Sequence, residues 1–343
     1  MAPIMIMRKW PKIVVGEFLI DRESPVSAMD SLMASTAGRL DPVVVKWLLD
    51  SDPAIRWQVM RDLTDQRAEV VAAERSRVGR EGWGARLLAL QAPTGQWGDS
   101  TYMRAWTSTA WTLSLLREMG LDPESEQARR AVALVRENSR WEHDNEPFFS
   151  GEVEPCINGL AVSLGAYFRQ NVQAIVDRLL TEQLSDGGWN CEVERGSTRS
   201  SFGTTIDVLE GLLEHERATR GTADARDARH RAEEYLMERR MFRRLSTGEV
   251  ADETWTLFSY PTYYYYDVLR GLDYLRAAGV APDKRVAEAI GLVEKRRGED
   301  GRWPLQNPHP GLLHFAMEGE GKPSRWNTLR ALRVLRWYER AGS

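Results

Sequence analysis

The amino-acid sequence predicts an all-helical (α/α)6 toroid, a single domain in which six helical hairpins form an inner and an outer ring. Three observations lead to this prediction: a tryptophan motif recurs in the loops, amphipathic helices alternate with nearly uncharged ones, and the uncharged helices recur at regular intervals. In such arrays each hairpin contacts its neighbours, so that one continuous core extends over a long chain. A chain of 343 residues can therefore form one domain.

The recurring motif occupies residues 91–97, 183–189 and 297–303, which read QAPTGQW, QLSDGGW and RGEDGRW. Two copies begin with glutamine, and the third begins with arginine. Each copy lies between the predicted end of an amphipathic helix and the start of a more apolar one. Self-similar segments of this kind are the sequence signature of helical repeat architectures.

Two kinds of helical segment alternate along the chain. Residues 126–138 place their apolar side chains on one helix face, so this segment is expected to lie at the surface. Residues 105–116 and 155–168 contain no charged side chain, which is typical of helices that are buried on several sides. An outer ring around an inner ring accounts for both kinds. The inner helices are predicted to begin near Pro53, Tyr102, Glu154, Ser201, Thr262 and Ser324.

Composition restricts the classes of function. The net charge of −4 argues against nucleic acid as a partner, because nucleic-acid-binding proteins normally carry a basic surplus. The chain has no run of about 20 apolar residues and no signal-peptide pattern, which predicts a cytoplasmic protein without a transmembrane segment. Residues 1–28 are predicted to form an N-terminal arm before the toroid at 29–343, and the arm leaves peripheral membrane contact open.

The Q-x-x-[DT]-G-x-W copies resemble the QW repeats of squalene–hopene and oxidosqualene cyclases and the similar repeats of protein prenyltransferase β subunits. The resemblance spans residues 41–337. It implies a toroid in which the glutamine ties helix ends and the tryptophan stacks on a neighbouring repeat. It also implies an isoprenoid or similar apolar ligand in the central cavity, and cyclisation or prenyl transfer as the reaction. Neither the D-x-D-D nor the D-D-x-x-D motif of terpene cyclases occurs in this chain.

The prenyltransferase resemblance also implies a zinc site. Those β subunits carry Asp-x-Cys at the start of an inner helix as two zinc ligands, and a later histidine as the third. Glu154 and Cys156 match the first pair, with Glu in place of Asp, and Gly203 stands where the histidine would be. Cys191 could supply a substitute thiolate, so that Cys156 and Cys191 are the predicted metal ligands. Two reduced, structural cysteines are the alternative.

Acidic side chains on otherwise apolar inner helices are further candidates. A carboxyl group in an apolar cavity keeps its proton to higher pH, as a general acid must. Asp207 and Asp267 fit this role, and ion pairs with arginines of adjacent helices are their alternative. Glu210, one turn deeper, is expected to face a loop or an outer helix. The catalytic candidates are Glu154, Cys156, Asp207 and Asp267.

Aromatic residues recur near the predicted starts of the inner helices, and tyrosines 263–266 are expected to open the fifth. A ring of such side chains can bind an isoprenoid chain and stabilise carbocations by roughly 0.5–2 kcal/mol each. Core packing is the alternative. Residues 306–325 form a long loop, predicted to be a lid or a binding loop, in which His309 and His314 are expected to be solvated. The predicted substrate-binding residues are Trp57, Trp106, Asn158, Phe202, Tyr263, Tyr266, Arg325, Trp326 and Asn327.

Two other classes of function stay open. Toroids of this kind also serve carbohydrate-active enzymes, which need paired carboxylates in a polar groove. The uncharged inner segments count against that class. A non-catalytic toroid that binds a lipid or a partner protein is the second. The motifs of Ser–His–Asp hydrolases, P-loop proteins and dinucleotide-binding enzymes do not occur, so those classes have no support.

Overall fold

The computed structural model describes residues 40–102 and 105–341. In these ranges the chain is all-helical, as predicted, with thirteen α-helices, no β-strand and three isolated β-bridges. None of the helices in the described part is long and apolar enough to cross a membrane. The predicted N-terminal arm at 1–28, and its boundary with the toroid, lie outside the described residues.

The helices form two sets that differ in burial. The inner helices are α2 (Pro53–Asp62), α5 (Thr109–Met119), α7 (Pro155–Tyr167), α9 (Phe202–Thr219), α11 (Val268–Ala278) and α13 (Arg325–Ala341). The outer helices are α1 (Pro42–Leu49), α3 (Ala68–Arg75), α4 (Gly82–Ala89), α6 (Glu126–Asn138), α8 (Gln173–Thr181), α10 (Ala223–Glu238) and α12 (Ala287–Lys295). The outer helix α6 buries one face, and the short outer helix α3 has no fully buried residue. By contrast, α5 and α7 are buried along almost their whole length.

The ring closes where α13 meets α2. Arg333 on α13 donates a hydrogen bond to Oε1 of Gln58 on α2 at 3.0 Å, and Arg336 donates to the carbonyl of Asp62 at 2.7 Å. Arg333 also pairs with Asp273 on α11. The first and last inner helices are thus joined directly, which distinguishes a closed toroid from an open solenoid. The predicted fold class is confirmed.

Two inner helices begin later than the sequence analysis predicted, α5 at Thr109 and α11 at Val268. At α11 the carboxylate of Asp267 accepts a hydrogen bond from the backbone N–H of Arg270 at 2.7 Å, which makes Asp267 the N-cap. The tyrosines at 263–266 therefore lie in the turn before the helix and do not form its first turn.

The recurring tryptophans fasten each outer helix to the inner helix that follows it. Trp97, Trp189 and Trp303 are fully buried. Their indole N–H groups donate at 2.7–2.8 Å to the carbonyls of Leu87, Leu179 and Val293, respectively. Their backbone N–H groups donate at 3.0–3.1 Å to the hydroxyls of Thr109, Thr205 and Thr328. Each tryptophan is thus bonded within its own hairpin, and the motif glutamine reaches the neighbouring one, as Gln183 does to the Ala228 carbonyl at 2.8 Å.

The inner helices α7 and α9 approach closely through two glycines. A Cβ atom at Gly211 would lie 2.4 Å from the carbonyl oxygen of Gly159, and one at Gly159 would lie 2.6 Å from that of Asp207. The obstructing atoms belong to the backbone, so no side chain can move aside. This contact sets the distance between the two helices whose N-terminal ends carry the site described below.

Gly211→Ala is expected to lower the free energy of unfolding by about 1–3 kcal/mol, because overpacking forces the two backbones apart. Gly291→Ala is the matched control, since Gly291 lies in α12 and a Cβ there would meet nothing within 4 Å. The control should gain about 0.5–1 kcal/mol from helix propensity. Urea denaturation measures both values, and equal stability of the two variants would contradict the prediction.

Candidate functional site

A carboxylate and two thiols come together at the N-terminal ends of α7 and α9. The sulfur atoms of Cys156 and Cys191 are 2.7 Å apart, and Cys156 Sγ lies 3.5 Å from Glu154 Oε2. The three potential ligand atoms all lie within 4.8 Å of one another. The structure thus places Cys191 beside Cys156, where a substitute thiolate was expected. These three residues are called the acid–thiol cluster below.

Local structure explains how the acid–thiol cluster is positioned. Pro155 is the first residue of α7 and Glu154 is its N-cap, which places the acidic side chain at the mouth of the ring. Cys191 lies in the loop before α9. The side-chain amide of Asn190 donates across this loop to the Arg199 carbonyl at 2.6 Å. Thr204, in the first turn of α9, places its hydroxyl 3.3 Å from Cys191 Sγ.

The two thiols influence each other's ionisation. The hydrogen bond between them, together with burial, raises the pKa of Cys156, and the same bond lowers the pKa of Cys191. Cys191 is therefore the more acidic thiol of the pair. Two cysteine sulfurs and one carboxylate oxygen are donor types that zinc binds in proteins, and three protein ligands leave a position for substrate or water. The donor set of the acid–thiol cluster fits a zinc ion.

Gly203 stands at the position where the prenyltransferase resemblance places a histidine ligand. A Cβ atom built there would meet only the carbonyl oxygen of Tyr264, at 3.8 Å, which is an ordinary contact. Packing therefore does not require glycine at this position. The first turn of α9 has room for a side chain at Gly203, next to Thr204, which contacts Cys191.

An aromatic cluster adjoins the two thiols. Trp106 stacks on Tyr263 with ring centroids 4.0 Å apart, and Trp111 meets both rings edge-on at 5.6–5.7 Å. Tyr102 lies 5.2 Å from Trp111. Burial raises the pKa of Tyr102. A Cβ atom at Gly203 would lie 3.8 Å from the Tyr264 carbonyl oxygen, and the adjacent Thr204 contacts the Cys191 sulfur, so the first turn of α9 lies between the two sites. The aromatic cluster comprises Tyr102, Trp106, Trp111, Tyr263, Tyr264 and Tyr265.

The loop at residues 306–324 covers the aromatic cluster. His309 stacks on Tyr265 with ring centroids 3.8 Å apart, and the indole of Trp106 donates to the Pro310 carbonyl at 2.9 Å. Burial lowers the pKa of His309 to about 4, so this ring is neutral at physiological pH. The predicted binding loop therefore makes defined contacts with aromatic residues of the mouth.

His314 is bound separately from His309, with its Nε2 atom 2.8 Å from the Thr112 hydroxyl. The sequence analysis expected solvated histidines, and both instead anchor the loop. An apolar pocket of about 70 Å³ lies beneath the loop. Its walls include Leu87, Trp106, Leu115, Tyr263, Leu305 and Phe315.

A second cavity, of about 580 Å³, lies toward the C-terminal ends of the inner helices. Its lining is mostly charged, in contrast to the uncharged wall that the sequence analysis expected. The lining arginines are Arg61, Arg75, Arg117, Arg217, Arg270, Arg276, Arg330 and Arg333. The lining acids are Asp62, Glu118, Glu210, Glu214 and Asp273. We call it the arginine cavity.

No known sequence family and no curated protein matches the chain. Among solved structures it is similar to the apo type II terpene cyclase MstE from Scytonema, with 17% identity, a TM-score of 0.43, and coverage of 92% of this chain and 99% of that one. A variant of MstE bound to geranylgeranyl dihydroxybenzoate is 16% identical, with a TM-score of 0.42 and coverage of 93% of this chain and 99% of that one. Another variant, bound to merosterolic acid A, is 16% identical, with a TM-score of 0.43 and coverage of 93% of this chain and 100% of that one. These likenesses are remote.

Two predicted substrate-binding residues brace the backbone. Asn158 is fully buried, and its side-chain amide bonds to both the N–H and the carbonyl of Glu152, at 2.7 Å and 2.6 Å. Asn327 donates to the carbonyls of Phe258 and Pro304 at 3.1 Å and 3.0 Å. Their polar atoms are engaged with the backbone, so the structure gives them a positioning role and not a surface for substrate.

Three other predicted substrate-binding residues lie away from both cavities. Phe202 and Tyr266 pack around Trp255, with centroid distances of 4.7 Å and 5.2 Å, in the core between α9 and α11. The guanidinium of Arg325 lies 4.6 Å from the centroid of the Trp47 ring on α1. Trp57 and Trp326, expected at the mouth, line the arginine cavity. Of the predicted aromatic residues, Trp106 and Tyr263 belong to the aromatic cluster.

Asp207 and Asp267 interact with arginines, which was the alternative to an acid role. Arg270 donates to Asp207 at 2.7 Å and to both oxygens of Glu210 at 2.9 Å. Burial raises the pKa of Asp207 to about 8, whereas Arg270, acting against burial, lowers the pKa of Glu210. Asp267 lies 3.7 Å from Arg330. Glu210 faces the arginine cavity, and the expectation that it faces a loop or an outer helix is wrong.

The arginine cavity was not predicted from the sequence, although the chain carries a signal for it. The first half of α5 is uncharged, and its last turn contains Arg117 and Glu118. In α9 the first turn is uncharged, and Glu210 and Glu214 lie deeper in the helix than Asp207, the only charged residue of its first two turns. A charge gradient along several inner helices indicates a ring that is apolar at one end and charged at the other.

Proposed function

We propose that this protein is an enzyme that acts on an isoprenoid-like, apolar substrate with a zinc ion held by Glu154, Cys156 and Cys191. The observation that supports the proposal is the convergence of the acid–thiol cluster at the first turn of α9, which also approaches the aromatic cluster at Tyr264. Metal ligands and an apolar binding surface share one end of the ring. The resemblance of the tryptophan motif to cyclase and prenyltransferase repeats supports the same class of substrate.

A zinc ion in the acid–thiol cluster would supply a Lewis acid that lowers the pKa of a coordinated thiol or water. The protein residues have separate tasks. Tyr264, which is 40% exposed, offers an accessible aromatic surface to an apolar chain, and aromatic faces stabilise positive charge that develops on it. The loop at 306–324 covers the neighbouring Tyr265 through His309, and Thr204 positions the Cys191 sulfur.

Zinc binding tests the proposal. We expect wild-type protein to bind one zinc ion, and we expect Cys156→Ser and Cys191→Ser each to weaken binding by at least about 100-fold. Even substitutions behind metal ligands cost about 10- to 100-fold in affinity. Competition with a chromophoric chelator measures the affinity, and cobalt substitution reports the number of thiolate ligands through the thiolate-to-cobalt absorption band.

Gly203→His sharpens this test by adding a side chain where space exists. It should bind zinc more tightly than wild type, while the control Gly203→Ala should match wild type. Zinc affinity that is unaffected by loss of both cysteines would refute the metal site.

Turnover is tested separately by incubation with geranylgeranyl diphosphate and with squalene, followed by analysis of products. Product formation should disappear in the Cys156→Ser variant. Undiminished turnover in that variant would exclude the acid–thiol cluster from the chemistry.

A further inference from the structure

The arginine cavity is separate from the acid–thiol cluster and takes no part in the proposed chemistry. Eight arginines and five acidic residues line it. Asp207 and Asp267 pair with the lining residues Arg270 and Arg330, so eight arginines face seven acids and the formal charge is +1. A volume of about 580 Å³ falls within the range of about 300–1,000 Å³ that is usual for small-molecule sites. Arginines in such a cavity that are not paired with a carboxylate favour an anionic ligand.

Arg117 is the most incompletely bonded of these arginines. Its side chain is 14% exposed, and none of its nitrogen atoms donates a hydrogen bond to a described residue. Carboxylates of Glu118, Glu210 and Glu214 lie 3.9–4.0 Å away, beyond hydrogen-bond distance. A guanidinium carries five N–H donors, and buried donors are normally bonded to an acceptor. Arg117 is therefore a charged donor group whose capacity the described residues do not use.

Arg75 provides a second guanidinium near Arg117. It donates to the Gly120 carbonyl at 2.8 Å and to the Tyr167 hydroxyl at 2.9 Å, and no carboxylate of the described residues pairs with it. Burial raises the pKa of Tyr167, while the charges of Arg75 and, more weakly, of Arg117 lower it. Gly120, which accepts the Arg75 hydrogen bond, lies at the end of α5 and its N–H donates to the Arg117 carbonyl at 2.9 Å, and both arginines line the same cavity. They can act on one ligand.

One of the acids near Arg117 is already engaged, because Arg270 donates to both oxygens of Glu210. Glu214 lies between two arginines, 3.9 Å from Arg117 and 3.8 Å from Arg217. Burial raises the pKa of Glu118, although the charge of Arg117 opposes the shift. The carboxylates therefore reduce the positive potential without cancelling it.

Three aromatic side chains that line the cavity stack on neighbouring protein groups. Guanidinium groups of Arg61 and Arg75 lie 4.5 Å and 5.3 Å from the Trp57 ring centroid. Tyr260 and Trp326 stack on each other at 4.1 Å. Most of the remaining lining side chains are charged, which favours recognition by charge and hydrogen bonds.

We propose that the arginine cavity is a second ligand site, which binds a small, multiply charged oxyanion with phosphate or carboxylate groups through Arg75 and Arg117. Guanidinium groups bind both kinds of oxyanion, often through paired N–H···O bonds.

Isothermal titration calorimetry of the full chain with pyrophosphate and with citrate, at constant ionic strength, tests the site and tells the two oxyanion chemistries apart. We expect binding of at least one of them. Arg117→Gln and Arg75→Gln should each weaken it by about 10- to 100-fold, the usual effect of losing a charge-assisted hydrogen bond. Arg136→Gln, at an exposed position on α6, is the matched control and should leave the affinity unchanged.

The double variant Cys156→Ser, Cys191→Ser should bind the anion as wild type does, which separates this site from the proposed enzymatic one. Circular dichroism verifies folding, and Arg75→Gln keeps the test decisive if Arg117→Gln does not fold. The proposal is overturned if neither anion binds, if all three arginine variants bind equally, or if a neutral oligosaccharide binds and the anions do not.

Discussion

Asp273→Asn is expected to lower the free energy of unfolding by about 3–5 kcal/mol, the usual result of breaking a buried ion pair from one side. Asp273 on α11 accepts hydrogen bonds from Arg333 on α13 and from Arg276 at 2.8 Å. The substitution leaves Arg333 buried with a weaker set of partners, Gln58 and Asp62 on α2. Urea denaturation at pH 7 measures the loss.

The pH dependence of this loss follows from the same pair. Burial alone would raise the pKa of Asp273, but the charges of Arg333 and Arg276 outweigh burial and lower this pKa in the folded state. Its contribution to stability is therefore complete above its unfolded pKa of about 3.9 and is lost as pH falls toward the folded value. The difference between wild type and Asp273→Asn should be equal at pH 7 and pH 5.5, and it should shrink below about pH 4.

Glu81→Gln is the control, because Glu81 forms an exposed ion pair with Arg77 at 2.7 Å. Loss of an exposed pair should leave the free energy of unfolding close to that of wild type. Adding Arg333→Met to Asp273→Asn should recover part of the loss, since it removes the stranded charge. Equal effects of Glu81→Gln and Asp273→Asn would contradict this account of the pair.

Trp189→Ala is expected to cost about 3–5 kcal/mol of stability, because it removes a fully buried indole and leaves a cavity. It should also weaken zinc binding, since the loop that carries Cys191 begins at this residue. The carbonyl of Trp189 accepts a hydrogen bond from Ser201 at 2.9 Å, at the N-cap of α9, which closes that loop. Chemical denaturation and chelator competition measure the two effects.

Trp97→Ala separates the two effects, because Trp97 has the same burial and the same bonds in another hairpin. It should cost similar stability and leave zinc affinity unchanged. Equal weakening of zinc binding by both variants would mean that general instability is responsible. Trp189→Phe should be milder than Trp189→Ala, since it keeps most of the buried volume and loses the indole hydrogen bond to Leu179.

The fold was predictable because its signals are local. The apolar side chains of α6 fall on one helix face, whereas α7 is uncharged on all sides, so the sequence alone distinguishes the two kinds of helix. The tryptophan motif marks the loops that precede α5, α9 and α13. The start of α11 was predicted too early in the sequence because the four consecutive tyrosines were assigned to its first turn. Asp267 before the apolar segment from Val268 is a recognisable N-cap, and it should have outweighed them.

The site was only partly predictable because its parts meet through tertiary contacts. Glu154 and Cys156 are two residues apart at a helix start, so their proximity is local. Cys191 reaches them only because α7 and α9 pack through glycine backbones, a distance that no pattern in the sequence specifies. The same limit applies to Arg117, whose spatial neighbours Glu210 and Glu214 belong to another inner helix.

The contact of α13 with α2 means that this array of hairpins has no ends. An open solenoid unravels from its terminal repeats, which need polar caps and unfold first. In a closed ring every hairpin has two neighbours, so melting any one of them exposes two apolar interfaces at once. Partial unfolding is therefore costly at every position. Local openings that admit a ligand are confined to loops such as residues 306–324, whose movement leaves the ring intact.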